Sequence, residues 1–180
     1  WDDKVRRSLL LDAKADLLLY GMAELSLLEL ARRPQAGESF EQIRDLRGTV
    51  YTAKQPPADS LMVPSFEQVA SSKEACLEAF RQSEREQNPY CAKTLVQPHA
   101  ERFVVCNPPA LPLTTAELDA VYVLPFSREP HPSYHEPIPA FEQIKTSLTS
   151  HRGCYGSCSF CAIISHQGKF IQSRSAGSVS

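Results

Sequence analysis

The stretch at residues 151–161, His-Arg-Gly-Cys-Tyr-Gly-Ser-Cys-Ser-Phe-Cys, decides how the rest of the chain is interpreted. It places Cys154, Cys158 and Cys161 within eight positions, at the spacing C-x3-C-x2-C. Thiolates are soft ligands that suit zinc and iron–sulfur clusters. Two glycines in the same stretch allow the backbone to turn tightly around a compact ligand. The spacing therefore predicts a metal-binding loop.

Two kinds of metal site fit these cysteines. Three thiolates on a [4Fe–4S] cluster leave one iron without a protein ligand, a position that an electron-transfer ferredoxin normally fills with a fourth cysteine. An open iron makes sense where a substrate or cofactor binds. Alternatively, His166 downstream of the loop could complete a tetrahedral Cys3His zinc site. Ligand softness and ligand number favour the cluster, and the zinc site stays open as the alternative.

Upstream, the first 55 residues have the pattern of an α/β fold. We predict a helix over residues 2–12, a strand over residues 15–20, a helix over residues 22–33 and a strand over residues 48–53. The middle strand candidate is a short, nearly continuous apolar run, which is typical of a strand covered on both faces. The alternation indicates the last part of an open parallel sheet.

The next segment, residues 56–135, is rich in proline and contains one long predicted helix over residues 65–88 with a capping box at its start. Cys76 falls on the apolar stripe of this helix, so we expect a buried small side chain there. A short strand is predicted over residues 102–106, and a brief capped helix over residues 114–123.

Composition excludes several classes of partner. Lys and Arg number 19 against 21 Asp and Glu, a net charge of −2, so no basic excess indicates nucleic acid or an anionic membrane surface. No apolar run approaches the ~18 residues needed to span a bilayer. The clustered thiols fit a reduced site in the cytoplasm. The chain begins at Trp1 and ends at Ser180, and we expect it to be a fragment of a longer protein.

Several motifs together resemble one family. The three-cysteine spacing, with an aromatic residue before the last cysteine, resembles the radical S-adenosylmethionine (SAM) superfamily. The wider pattern resembles the YgiQ-type radical SAM proteins. It includes residues 1–21, Asn107-Pro108-Pro109, His131-Pro132-Ser133-Tyr134, Ile138-Pro139-Ala140, His151-Arg152-Gly153-Cys154, His166-Gln167-Gly168 and Ser173-Arg174-Ser175.

The resemblance implies an architecture of three parts. Residues 1–55 would be the C-terminal part of a Rossmann-like N-terminal domain, and residues 56–135 a proline-rich linker with one long helix. Residues 136–180 would be the start of the radical SAM domain with the cluster loop, that is, the opening of a truncated (β/α) partial barrel.

The resemblance also implies a chemistry. Cys154, Cys158 and Cys161 would bind a [4Fe–4S] cluster, and SAM would bind the open iron and be cleaved reductively to a 5′-deoxyadenosyl radical that acts on an unidentified small-molecule or macromolecular substrate. An external donor such as flavodoxin or ferredoxin would supply the electron. We expect the isolated fragment to be inactive.

Two further residues are candidates beside the cluster. By resemblance, Phe160 lies where the backbone meets the adenine of SAM. Arg152 could offset the negative charge of the cluster or hold the SAM carboxylate, and a surface salt bridge is an open alternative. The rival function is a non-catalytic, zinc-stabilised interaction module. An electron-transfer protein is a weaker reading because it would need a fourth cluster ligand.

Overall fold

A five-stranded sheet organises the first part of the computed structural model, which describes residues 3–180, and a two-stranded ribbon follows it. In chain order the elements are α1 (Leu9–Asp12), β1 (Leu17–Leu19), α2 (Glu24–Gln35), a 3-10 turn (Phe40–Gln42), β2 (Thr49–Ala53), β3 (Leu61–Met62), α3 (Phe66–Ser71), α4 (Lys73–Arg85), β4 (Leu95–His99), β5 (Arg102–Cys106), α5 (Thr115–Tyr122), α6 (Pro139–Ile144), β6 (His151–Arg152), α7 (Ile163–Gln167), β7 (Gln172–Ser173) and α8 (Ala176–Val179).

The strands of the sheet are mixed in direction. Their order is β1-β2-β5-β4-β3, and each pair is antiparallel except β3 with β4. The predicted parallel sheet is therefore wrong, although the α/β class is confirmed. The Rossmann-like and barrel descriptions stay predictions.

The reason lies in the connection from β1 to β2. Leu19 at the end of β1 pairs with Thr49 at the start of β2, so the chain leaves and re-enters the sheet at the same end. Helix α2 leads away from that end, and the segment after it returns. Ile43 and Leu46 of the returning segment are buried in one cluster with Leu30 of α2. Burial of these side chains holds the return path against the helix.

A second core cluster lies on the central strands. Tyr51, Val96 and Val105 are buried together and come from β2, β4 and β5. These residues share one face because Tyr51 pairs with Val105 and Val105 pairs with Val96 across the antiparallel ladder. The predicted strands over residues 48–53 and 102–106 are confirmed as β2 and β5.

Asn107 turns the chain out of the sheet toward the ribbon. Its buried side-chain amide donates to the carbonyl oxygens of Arg44 and Leu46 at 2.8 and 3.0 Å and to Thr49 Oγ1 at 3.0 Å. Because a buried amide is costly unless it is hydrogen-bonded, these contacts fix where the proline-rich turn at residues 108–112 begins.

The predicted long helix over residues 65–88 is two helices. Ser72 has extended dihedral angles (φ −135°, ψ 126°) between α3 and α4, and its hydroxyl accepts a hydrogen bond from the Ala75 amide at 3.2 Å. A serine at this position competes with the helix by capping the next one. The expected burial of Cys76 is also wrong: the side chain is exposed. The capping box of Ser65 and Gln68 is confirmed.

The other local predictions differ in outcome. Of the predicted helix over residues 2–12, only α1 is helical and residues 3–8 are not; Asp2 lies outside the described residues. Helix α5 and its capping box, formed by Thr114 and Glu117, confirm the prediction for residues 114–123. Over residues 3–180, no helix combines the length and apolarity that crossing a bilayer requires.

The predicted three domains stay a prediction. Strands β1 and β2 come from residues 1–55, whereas β3, β4 and β5 come from residues 56–135. The first predicted boundary therefore runs through one hydrogen-bonded sheet.

Candidate metal-binding loop

The cysteine loop is supported at both ends by a short antiparallel ribbon. His151 and Arg152 of β6 pair with Ser173 and Gln172 of β7. The Arg174 amide extends the ladder by donating to the carbonyl oxygen of Ser150 at 2.9 Å. The chain leaves β6 through the cysteines and returns through α7, so the ribbon closes the base of the loop.

Gly153 lies at the exit from β6 in a conformation that only glycine tolerates well. Its φ is +85°, and a β-carbon at this position would lie 2.0 Å from the carbonyl oxygen of Phe170. The Gly153 amide donates to Gln167 Oε1 at 3.0 Å, and the Cys154 amide donates to the Gly168 carbonyl oxygen at 3.2 Å. The returning segment therefore packs directly on the first cysteine of the motif.

Two of the three thiols face the same turn. Gly156 lies between them, and a β-carbon there would be 3.3 Å from Cys154 Sγ and 3.6 Å from Cys158 Sγ. The Gly156 amide donates to Cys154 Sγ at 3.3 Å. Because Gly156 has no side chain, no β-carbon lies against either of these two sulfur atoms.

The third thiol is joined to this turn through the backbone. The Cys161 amide donates to the Cys158 carbonyl oxygen at 3.0 Å. Cys158 is exposed, whereas Cys154 and Cys161 are half-buried. Across residues 3–180, no three His, Cys, Asp or Glu side chains already stand together as a metal-ligand group. His166 lies on α7 with its side chain exposed.

The aromatic residue before the last cysteine points into solvent. Phe160 is 90% exposed, and Tyr155 on the same loop is 82% exposed. Exposed aromatic rings beside three thiols offer apolar surface to a ligand with a flat ring. The assignment of Phe160 to adenine stays a prediction.

Arg152 makes a salt bridge, but a largely buried one rather than the surface salt bridge that was the alternative. Its guanidinium is paired with Glu24 of α2, donates from Nη1 to Met22 Sδ at 3.2 Å, and lies 5.2 Å from the centre of the Tyr122 ring. The Arg152 side chain is only 14% exposed. Burial alone would lower the pKa of Arg152, but hydrogen bonds to Glu24 and Tyr122 hold it above its usual value. Contact of Arg152 with a cluster or with SAM stays a prediction.

Helix α5 and the turn before it also contact the ribbon. Tyr122 also lies under the Arg174 guanidinium, at 4.5 Å, so its ring contacts an arginine that follows β7 as well as one from β6. Gln172 is buried, and its Oε1 accepts a hydrogen bond from the Leu113 amide at 2.8 Å. Sequence reasoning did not find Glu24 or Tyr122, because neither belongs to a motif and Glu24 is 128 positions from its partner.

A small cavity lies between the sheet and the segment that follows the loop. Its volume is about 120 Å³. Pockets for small organic ligands are usually larger, on the order of 300–1,000 Å³, so this cavity alone does not hold a molecule of the size of SAM. Its walls include residues 20–22 just after β1, the prolines at 109 and 112, and residues 164–170.

Comparison with known proteins assigns the chain to a family. The family model described as Radical SAM N-terminal matches residues 1–147. A UPF0313 protein of Geobacter sulfurreducens is 61% identical over 99% of this chain, and one of Methanocella arvoryzae is 51% identical over 99%. A third, from Clostridium botulinum, is 47% identical over 99%. No solved structure matches the chain.

The match with these relatives covers only part of their length. The chain spans 30% of the Geobacter and Methanocella proteins and 29% of the Clostridium protein. The family model ends before β6, whereas these relatives align with nearly the whole chain, including the cysteine loop. The chain therefore belongs to the radical SAM N-terminal family, and its UPF0313 relatives confirm the resemblance to the YgiQ-type proteins.

Proposed function

We propose that the full-length protein is a radical SAM enzyme. In this proposal Cys154, Cys158 and Cys161 bind a [4Fe–4S] cluster, and SAM bound at the remaining iron is cleaved reductively to a 5′-deoxyadenosyl radical that abstracts hydrogen from a substrate still to be identified. The observation that carries the proposal is a C-x3-C-x2-C loop mounted on a closed ribbon, in a chain of the radical SAM N-terminal family.

The residues of the loop fit a cluster in kind and in number. Three thiolates suit iron–sulfur chemistry and leave one iron for a cofactor. Gly156 adds no side chain against Cys154 Sγ or Cys158 Sγ, so a shared ligand can approach both sulfur atoms on that side. The loop itself supplies three soft ligands, and the ribbon of β6 and β7 fixes its two ends.

The remaining parts of the proposal concern contacts outside the loop. Phe160, exposed next to Cys161, is the candidate for contact with the adenine of SAM. An external electron donor such as flavodoxin or ferredoxin would reduce the cluster, and the thiol-rich site is consistent with a protein of the cytoplasm. The substrate class is open.

Elemental analysis of the full-length protein, reconstituted without oxygen, tests the proposal. We expect about four irons and four sulfides per chain, the content of one [4Fe–4S] cluster. Cys158→Ala should abolish both the cluster and the formation of 5′-deoxyadenosine. Cys76→Ala is the matched control, because Cys76 is an exposed cysteine outside the loop. One tightly bound zinc and no iron would refute the proposal and favour the zinc-stabilised interaction module.

A second variant tests whether the free space at Gly156 matters. Gly156→Ala places a methyl group 3.3 Å from Cys154 Sγ, whereas Gly177→Ala meets no atom within 4 Å. We expect weaker iron retention in the first variant and unchanged retention in the second. Equal iron content in both variants would show that the absence of a side chain at Gly156 does not matter for iron binding.

A further inference from the structure

One of the contacts between the region matched by the family model and the cysteine loop is an ion pair made by Arg152. Arg152 belongs to β6, two positions before Cys154, and its guanidinium pairs with Glu24 in the first turn of α2. The two residues are 128 positions apart. Among residues 3–180, no other ion pair joins α2 to the ribbon.

The surroundings of Arg152 favour a fixed position over a mobile one. Two of its nitrogen atoms are engaged: Nη1 donates to Glu24 and Met22, and Nε lies 3.4 Å from the Tyr122 hydroxyl. The second carboxylate oxygen of Glu24 is buried and has no hydrogen-bond partner within residues 3–180. The charge of Glu24 is therefore balanced by Arg152 in a partly buried pair, where removal of one partner is costly.

The backbone transmits this position to the thiols. Arg152 pairs with Gln172 across the ribbon, and the next two amides, of Gly153 and Cys154, donate to Gln167 and Gly168. A movement of the Arg152 side chain would therefore displace β6, which ends two residues before the first cysteine.

We propose that Glu24 and Tyr122 are positioning residues for the metal-binding loop, acting through Arg152. The N-terminal region thus has a role in the site itself: it sets the place of β6 and with it the place of Cys154. This inference rests on the proposed function for its consequence, the binding of a cluster. The geometry of the contact can be tested without one.

The first test uses hydrogen exchange in the metal-free, full-length protein. Glu24→Gln should accelerate exchange of the Cys154 amide roughly tenfold, the size that a coupling between contacting residues usually has. Asp45→Asn is the matched control: it disrupts another arginine–carboxylate pair of α2, formed with Arg33 at 2.6 Å, which lies outside the ribbon. If both variants accelerate exchange equally, the effect is a general loss of stability and the proposal is wrong.

The second test is a double-mutant cycle read out as cluster binding. Glu24→Gln and Arg152→Gln should each lower iron content and broaden the electron paramagnetic resonance signal of the reduced cluster. The double variant should be less impaired than Arg152→Gln, because it contains no unpaired buried carboxylate. Strictly multiplicative effects would overturn the proposal.

The two proposals fail in different ways. If the wild-type protein binds no iron while Glu24→Gln still accelerates exchange at Cys154, the proposed function is wrong and the positioning contact stands. If the wild-type protein binds a full cluster and Glu24→Gln changes neither exchange nor the resonance signal, the positioning role is wrong and the enzyme assignment stands. Tyr122→Phe, which keeps the ring and removes the hydroxyl, should have the smaller effect of the two positioning variants.

Discussion

Substitution of Gly153 by alanine should open the base of the metal-binding loop. A β-carbon at Gly153 would meet the Phe170 carbonyl oxygen at 2.0 Å and its carbon at 2.9 Å, and both are backbone atoms that cannot rotate away. The positive φ adds a cost of about 1–2 kcal/mol for any L-residue, and forcing atoms into occupied space adds about 1–3 kcal/mol. We expect a total of about 2–5 kcal/mol of local destabilisation.

Gly168→Ala separates these two contributions. Gly168 has nearly the same φ, +87°, but an added β-carbon there meets nothing within 4 Å. The clash with Phe170 occurs only at Gly153, and it contributes about 1–3 kcal/mol to the difference between the variants. Since 1.4 kcal/mol corresponds to about a factor of ten, this contribution is roughly a fivefold to hundredfold change in an opening equilibrium.

Hydrogen exchange at the Arg174 amide measures this opening. That amide donates across the ribbon to Ser150 and lies far enough in sequence from both glycines that its intrinsic exchange rate is unchanged. Exchange should be fast in Gly153→Ala and intermediate in Gly168→Ala. Equal protection in the two variants would show that the returning segment does not pack on Gly153, and the described closure of the loop would be wrong.

Three further predictions concern the sheet and its helices. Burial lowers the pKa of the His99 imidazole. The stability that neutral His99 contributes is therefore complete above the ordinary histidine pKa and is lost as the pH falls through the lowered pKa. Denaturant unfolding at pH 7.5 and pH 5 should show a smaller loss of unfolding free energy in His99→Phe than in the wild type. Burial raises the pKa of the Cys106 thiol. An alkylating reagent should therefore modify exposed Cys76 well before Cys106, as followed by mass spectrometry. Equal alkylation rates would contradict the described packing of Cys106. Thr114→Ala removes the capping box with Glu117 and should cost about 1 kcal/mol in thermal unfolding, whereas an unchanged melting temperature would mean that this cap does not contribute.

What could be predicted from the sequence is mostly what neighbouring residues determine. The capping boxes at Ser65 and Thr114 were predicted correctly, because a hydroxyl and a residue three positions later make both bonds. The strand at residues 102–106 was also predicted, since it is a short apolar run between turns. The three-cysteine spacing is local too, and its assignment as a cluster site stays a prediction.

Features that depend on distant residues were missed or wrong. The direction of β2 is determined by the burial of Ile43 and Leu46 against α2, and no pattern within the strand carries that information. The apolar stripe of the predicted long helix continued across Ser72, yet the serine ended one helix and began the next. The partner of Arg152 could not be predicted from the residues around it either, because Glu24 belongs to a helix near the other end of the chain.

The long separation between Glu24 and Arg152 has a consequence for biosynthesis. A ribosome makes the chain from its N-terminus, so α2 and α5 emerge well before β6 and the three cysteines. The loop is therefore the last of these parts to be synthesised, and Glu24 and Tyr122 are already part of the chain when it emerges. Under the proposed function, cluster insertion would follow the synthesis of residues 1–147, a region that contains none of the three proposed ligands.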